Sequence, residues 1–294
     1  CAHLHARTSW RMMSARDPWV NLLRTTTAAF AAAVGGAEVV TVLPFDAAVN
    51  EPDDFSRRLA RNVQIVLQQE ASLGRVLDPA GGCWHLEART AALAERAWSL
   101  FQELEGRGGL VASLRDGWFQ EKIAATRQAR ARDVATRKLP LTGVSEFPQL
   151  DERPVARPRP APPPGAPPTP APLQDTITPL TAARLSAPYE ALRDAADRHF
   201  ATTGARPRAF LANLGHLAQF SARAGFARNL LAAGGIAAEG EQGYDDPAAL
   251  AAALRASGCR LAVICSMDEL YAERLPDAAA ALKGAGAATV VVAG

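Results

Sequence analysis

Among the side chains able to ligate a metal, attack a carbonyl or move a proton, His216 has the most suggestive setting. It lies in a glycine-led loop, Gly215 to Phe220, between a strand-like run at Arg208 to Leu214 (RAFLANL) and a helix-like run at Ala218 to Ala232. A histidine so placed could offer a neutral imidazole nitrogen to a metal if a neighbour accepted its other N–H and fixed the tautomer. Leu217 and Ala218 supply no such acceptor, so no metal site is expected there. His85 and His199 have no carboxylate or second histidine at ligand spacing and read as surface or packing residues. The four cysteines, Cys1, Cys83, Cys259 and Cys265, form no C-x-x-C pair and have no histidine at zinc spacing. They read as reduced packing thiols.

The elements that must position these residues alternate between strand and helix. In the first region, His3 to Thr8 reads as extended and Asn21 to Val34 as a helix stopped by Gly35-Gly36. Glu38 to Phe45 (EVVTVLPF) reads as a buried strand, and Asp53 to Gln69 as a helix with Asp53 or Asp54 as its cap. A third strand is expected at Arg75 to Leu77 before the turn Asp78-Pro79-Ala80-Gly81-Gly82, then a helix at Ala88 to Glu105 with Leu93, Ala97, Leu100 and Leu104 facing inward. Three such units imply a parallel sheet with right-handed crossovers, and a closed barrel needs eight. They therefore read as the last part of a (β/α)8 barrel. Leu110 to Arg137 reads as helical and Leu139 to Val144 as an extended exit. Cys1 opens an apolar segment without an initiating methionine, and Thr289 to Gly294 ends as a strand does before its next helix, so a fragment of a longer protein is expected.

From Pro154 to Pro172 the composition is mostly proline, alanine and arginine, which favours extended conformation and cannot build a core. A docking site for a proline-recognising domain is the alternative reading. Beyond it, a helix is expected at Ser186 to Thr202, then strands at Arg208 to Leu214, Ile236 to Glu239, Arg260 to Ser266 and Ala288 to Ala293, with helices at Ala218 to Ala232, Asp246 to Ala256 and Leu270 to Ala285. That order describes an open, flavodoxin-like doubly wound parallel sheet, whose ligand site lies beyond the carboxyl ends of the strands. The division expected is 1–150 for the barrel end with its helical extension, 151–178 for the linker and 179–294 for the second module. A formal charge of +2 with no dense basic run excludes a phosphate-backbone surface, and no apolar segment approaches the ~20 residues of a membrane helix. No nucleic acid and no membrane partner are expected, and the chain reads as cytoplasmic.

Several strings carry a resemblance: His5-Ala6-Arg7-Thr8-Ser9-Trp10, Asp17-Pro18-Trp19-Val20-Asn21 with Leu22-Leu23-Arg24-Thr25-Thr26, Arg58-Leu59-Ala60-Arg61-Asn62-Val63-Gln64, and Asp78-Pro79-Ala80-Gly81-Gly82. Together they resemble the acyl-CoA mutase family, whose members pair a substrate-binding barrel with a flavodoxin-like cobalamin domain. In catalytic chains the penultimate barrel strand resembles H-T-N followed by an aspartate; anchored on Asp46, those positions here are the less polar Thr41, Val42 and Leu43. The next strand end resembles D-P-x-A-G-S-Y-Y-V-E, and this sequence has Cys83, Trp84 and His85 in place of the serine and aromatics, with Glu87 matching the final acid. Glu87 could retain a vestigial cofactor contact, though an acid is favoured at a helix start in any case. Cobalamin-binding members resemble K-x-G-x-D-x-H-x-x-G. Anchored on Gly215, the lysine is Asn213, the aspartate Leu217, the histidine Gln219 and the last glycine Ala222, which would crowd the cofactor's tail.

The resemblance implies a non-catalytic small subunit of a heterodimeric methylmalonyl-CoA mutase. No cofactor is expected on this chain. Adenosylcobalamin would sit on the large catalytic subunit, and acyl-CoA would bind only in the holoenzyme. Arg7 and Ser9 fall where the family places groups near the thioester side of the barrel, so they are the candidates for vestigial substrate contact. A solvated or capping role for both is the bland alternative. Two other classes stay open: a catalytically active subunit of a related cobalamin-dependent mutase, and a free-standing assembly or regulatory homologue.

Overall fold

The computed structural model describes residues 3–49, 51–153, 155 and 177–294, which form two compact units. Most of the proline-rich run lies outside the described residues. The first unit comprises residues up to Leu139 together with 177–185, and the second comprises Pro140–Arg153 and Ser186–Gly294.

In the first unit, β1 (His5–Arg7) pairs in parallel with β2 (Val39–Thr41), joined by α1 (Val20–Val34). α2 (Asp54–Ile65) follows, its N-terminus capped by Asp53, whose carboxylate accepts from the Ser56 amide at 2.9 Å. Ala29 of α1, Val42 after β2 and Ala60 of α2 bury one another. The strand expected at Glu38 to Phe45 is shorter and less covered than its composition implied: Val39 is 53% exposed. One paired edge is enough to hold only these few residues in a ladder.

The third strand is not formed. Leu73–Arg75 is a short 3-10 turn, Val76 has extended dihedrals without a ladder partner, and Leu77 is fully exposed. A strand persists only where a neighbour takes its N–H and C=O groups, and none is available here among the described residues. α3 (Trp84–Gly106) forms as expected, but none of its residues is buried. Leu93 and Leu100, expected inward, are exposed, as are Ala97, Trp84, Trp98 and Phe101, while Leu104 is half-buried. A helix apolar on more than one side needs partners on more than one side. The helical run after it is two helices, α4 (Gly109–Arg115) and α5 (Trp118–Ala135), broken at Gly117, whose φ is +86°.

The exit segment from Leu139 is not extended. The amides of Val144, Ser145 and Glu146 all turn back onto the Leu141 carbonyl at 2.9 to 3.1 Å, and the Ser145 hydroxyl accepts from the Leu141 amide.

The second unit follows its sequence pattern closely. α6 (Ala187–Thr203) leads into β3 (Arg208–Leu214), α7 (Leu217–Ala233), β4 (Ala237–Glu239), β5 (Gly243–Tyr244), α8 (Pro247–Ser257), β6 (Leu261–Cys265), α9 (Asp268–Gly284) and β7 (Thr289–Val292). The strands are parallel in the order β4-β3-β6-β7. The unanticipated β5 continues the β4 edge, pairing Gly243 with Asn213 where β4 paired Arg208 with Ala237. Side chains alternate across β3 as the strand period requires. Phe210, Ala212 and Leu214 bury with Leu250, Leu254 and Leu282 on one face, and Leu211 buries with Phe220, Ala224 and Val263 on the other. A parallel sheet covered on both faces explains why RAFLANL reads as a nearly continuous apolar run.

Candidate functional site

The loop after β3 lies at the carboxyl end of the central strand pair. Its geometry begins with Gly215, at φ +82°, a conformation that disfavours any side chain. A Cβ there would lie 2.2 Å from Gln219 Oε1 and 2.8 Å from Leu270 Cδ1. The Gln219 side chain folds back over the loop. Its Oε1 accepts from the His216 backbone N–H at 3.0 Å and also touches His216 Nδ1. His216 Nδ1 lies against the Gln219 side chain within a capping box, a local partner that Leu217 and Ala218 do not supply. His216 and Leu217 are both exposed, Leu217 at 67%.

Asn213 is fully buried on the α7 side of β3, its amide donating to the Gly240 and Gln242 carbonyls at 3.4 and 3.3 Å while its own Oδ1 has no partner among the described residues. Ala222 is exposed. The side chain that fills the space between α7 and the strands is instead Phe220, 4% exposed, with Cε1 2.8 Å from where a Cβ on Gly243 would stand. That role was not legible beforehand, because a phenylalanine in a helix start carries no ligand signal.

Beside the loop, the end of β6 is tied down. Ser266 is buried and donates its hydroxyl to the Leu214 carbonyl at 2.9 Å, and its amide donates to the Tyr271 hydroxyl at 2.9 Å. Arg223 donates to the Ser266 carbonyl at 2.7 Å and pairs with Asp268 at 2.6 Å, its guanidinium 4.8 Å from the Tyr271 ring centre. The hydrogen bond to Asp268 raises Arg223 above its ordinary pKa, and burial raises that of Tyr271. Burial also pushes the Cys265 thiol up to about 11, so it stays protonated and unreactive at neutral pH. Among the described residues no three histidine, cysteine or acidic side chains gather as metal ligands, and no helix is long and apolar enough to cross a membrane.

In the first unit, β1 and β2 bring His5 Nε2 within 2.7 Å of Thr41 Oγ1, and Thr8 Oγ1 accepts from the Leu43 amide at 2.8 Å. Val42 is buried in the apolar cluster, and Thr41 and Val42 border a recess of about 450 Å³ shared with Arg57 and Arg61 of α2. Arg7 is exposed at the end of β1, and Ser9 caps the 3-10 turn Trp10–Met12 by accepting from the Arg11 amide at 3.3 Å. Glu87 is exposed in the first turn of α3, below the Asp78–Gly82 turn. Both Asp46 carboxylate oxygens are buried without a partner among the described residues.

Parallel strands linked through helices, with the loop described above at their carboxyl ends, define a mixed α/β protein. A family model described as Methylmalonyl-CoA mutase matches residues 1–165. The chain belongs to the methylmalonyl-CoA mutase family. It is 49% identical over 291 residues to the methylmalonyl-CoA mutase small subunit of Streptomyces virginiae, covering 99% of this chain and 45% of that protein. It is 45% identical over 299 residues to the probable methylmalonyl-CoA mutase small subunit of Mycobacterium tuberculosis, covering 100% of this chain and 45% of that protein. To the methylmalonyl-CoA mutase of Cereibacter sphaeroides it is 38% identical over 157 residues, 51% of this chain and 21% of that protein. The chain thus spans about half the length of the small subunits it matches.

Proposed function

We propose that this chain is part of the non-catalytic small subunit of a heterodimeric methylmalonyl-CoA mutase, which supports isomerisation of methylmalonyl-CoA to succinyl-CoA on a large catalytic subunit. The observation that carries the proposal is the loop at Gly215 to Phe220. Where cobalamin-binding members resemble an aspartate and a histidine, this chain has an exposed Leu217 and a Gln219 whose carboxamide is spent on the loop's own backbone. Phe220 closes the space beneath. These residues do not fit a corrin with a displaced nucleotide tail, so adenosylcobalamin and its radical chemistry are assigned to the large subunit. Likeness along 99 to 100% of the chain to proteins named small subunits, against 51% to the Cereibacter mutase, supports the same reading.

The same proposal gives the first unit its architecture. β1 and β2 form a two-stranded sheet, α3 has no buried residue and the Asp46 carboxylate has no partner among the described residues. These features fit the closing part of a (β/α)8 barrel whose other strands belong to the rest of the polypeptide. The second unit then corresponds to a flavodoxin-like, cobalamin-domain-like module, and the whole subunit would act in the cytoplasm as the rigid neighbour of a barrel that opens and closes around acyl-CoA. Arg7, Ser9 and Glu87 keep no more than vestigial contact with substrate or cofactor.

One observation favours a second reading. With the ring proton on Nδ1, facing Gln219 Oε1, His216 Nε2 would be a candidate nitrogen donor, the arrangement a ligating imidazole uses. Expression of the full-length polypeptide with and without a mutase large subunit decides between them. The subunit proposal expects a one-to-one complex, and colourless material when the chain is purified alone from cells supplied with cobalamin. Corrinoid bound one-to-one to the lone chain, abolished by His216→Ala, overturns it.

A further inference from the structure

The proline-rich run reads from composition as the tether between two modules, and the described chain on either side of it changes unit twice more. Leu139 is held within the first unit, its amide donating to the Asp133 carbonyl at 2.9 Å, whereas the next residues, Pro140–Arg153, belong to the second unit. There they are clamped. Asn229 of α7 grips the segment with both ends of its amide, donating to Glu146 at 2.5 Å and accepting from the Phe147 N–H at 2.8 Å. Arg193 of α6, 3% exposed, donates to the Gln149 and Leu150 carbonyls at 3.0 and 3.4 Å and pairs with Glu152 at 3.6 Å. Arg206 donates to the Leu150 carbonyl at 2.8 Å. Val144 and Ser145 are buried. On the far side of the run the converse holds. Residues 177–185 belong to the first unit: Gln120 donates to the Thr178 carbonyl at 3.1 Å, Arg184 lies 5.7 Å from the Trp10 ring centre, and the Leu185 amide donates to the Arg11 carbonyl at 2.9 Å. Ser186, the next residue, is buried in the second unit.

From this path we propose that the two units are built by reciprocal exchange of chain segments. The polypeptide passes directly from one unit to the other at Leu139–Pro140 and again at Leu185–Ser186. A break within the run leaves an N-terminal part that carries the clamp segment of the second unit and a C-terminal part that carries residues 177–185 of the first. Each part then completes the other's fold. The contacts are mostly to backbone carbonyls and amides, so the recognition is of the main chain, held by two arginines and an asparagine. The inference concerns the chain itself and does not depend on the activity proposed above.

The test uses the full-length polypeptide expressed as two parts, one tagged, with the break placed at Gly165/Ala166, at Leu139/Pro140 or at Leu185/Ser186. The first break leaves both segments exchanged and each of the others leaves one. Dissociation is read by exchange against excess untagged part during size-exclusion chromatography. The expected result is a one-to-one complex for the Gly165/Ala166 break that dissociates most slowly of the three, and about tenfold faster when Asn229→Ala removes its two hydrogen bonds. Parts of the Gly165/Ala166 break that elute separately overturn the proposal, as do three breaks with equal dissociation rates. Asn229→Ala in the unbroken chain, followed by its melting temperature, separates a loosened clamp from a failure to fold.

Discussion

Replacement of Gly215 by alanine tests whether the loop after β3 is a closed structural turn. The glycine is at φ +82°, where an L-residue costs about 1–2 kcal/mol. The new Cβ would stand 2.2 Å from Gln219 Oε1 and displace the side chain that caps the His216 amide. Loss of a helix N-terminal partner adds about 1 kcal/mol. The nearby Leu270 Cδ1, at 2.8 Å, must shift as well. The sum is a destabilisation of about 2–3 kcal/mol. For a domain near a hundred residues this lowers Tm by roughly 8–24 °C. Hydrogen exchange at the β3 amides is the suitable assay, since it reports opening of this unit separately from the other. Gln219→Ala, which removes the cap without strain, should show about 1 kcal/mol of the effect. A Gly215→Ala protein within about 0.5 kcal/mol of the parent would refute the reasoning, because surface changes that touch nothing fall in that range. Were the loop an open cradle for a cofactor, only the backbone cost of about 1–2 kcal/mol would remain in the unliganded protein and the rest would appear as lost ligand affinity.

Three further outcomes are expected. Asp246→Ala, which removes the carboxylate that accepts from the Ala248 and Ala249 amides at 3.1 Å each, should destabilise α8 by about 1 kcal/mol in urea unfolding, whereas Asp246→Asn should retain most of the stability. Cys265 should resist iodoacetamide at pH 8 while the exposed Cys83 reacts, as read by peptide mass spectrometry, and equal labelling would contradict its burial. The sign of the linked pH effect follows from the same thiol. The unfolded thiol ionises near its ordinary value of 9.0 and the folded one only near 11, so stability should fall as pH rises across that interval.

What the sequence discloses depends on whether a feature leaves a periodic or side-chain trace. RAFLANL shows its strand because both sheet faces are covered, and β3 runs from Arg208 to Leu214 as read. Asp246-Pro247 and Gly258 mark both ends of α8 through a cap, a first-turn proline and a left-handed stop. The strand expected at Arg75 to Leu77 fails for the opposite reason, since its apolar pair has no ladder partner to make it a strand. Likewise Leu93 and Leu100 satisfy a helical period without a neighbour to bury them. At the candidate site the replaced positions were readable, but the Gln219 bond to His216 was not, because an amide can orient an imidazole as a carboxylate does. The clamp on Pro140–Arg153 left no trace at all. Most of its acceptors are main-chain carbonyls, which every residue has.

That clamp also bears on the order of events during synthesis. The Leu150 carbonyl leaves the ribosome well before its donors, Arg193 being 43 residues later and Arg206 56 residues later. At a translation rate of ~5–20 residues per second, the segment waits roughly 2–11 s with its acceptors bare. Residues 177–185, which finish the earlier unit, emerge within that interval. The earlier unit is therefore completed only after the later one has been started, and a ribosomal pause before residue 177 would hold both of them unfinished at once.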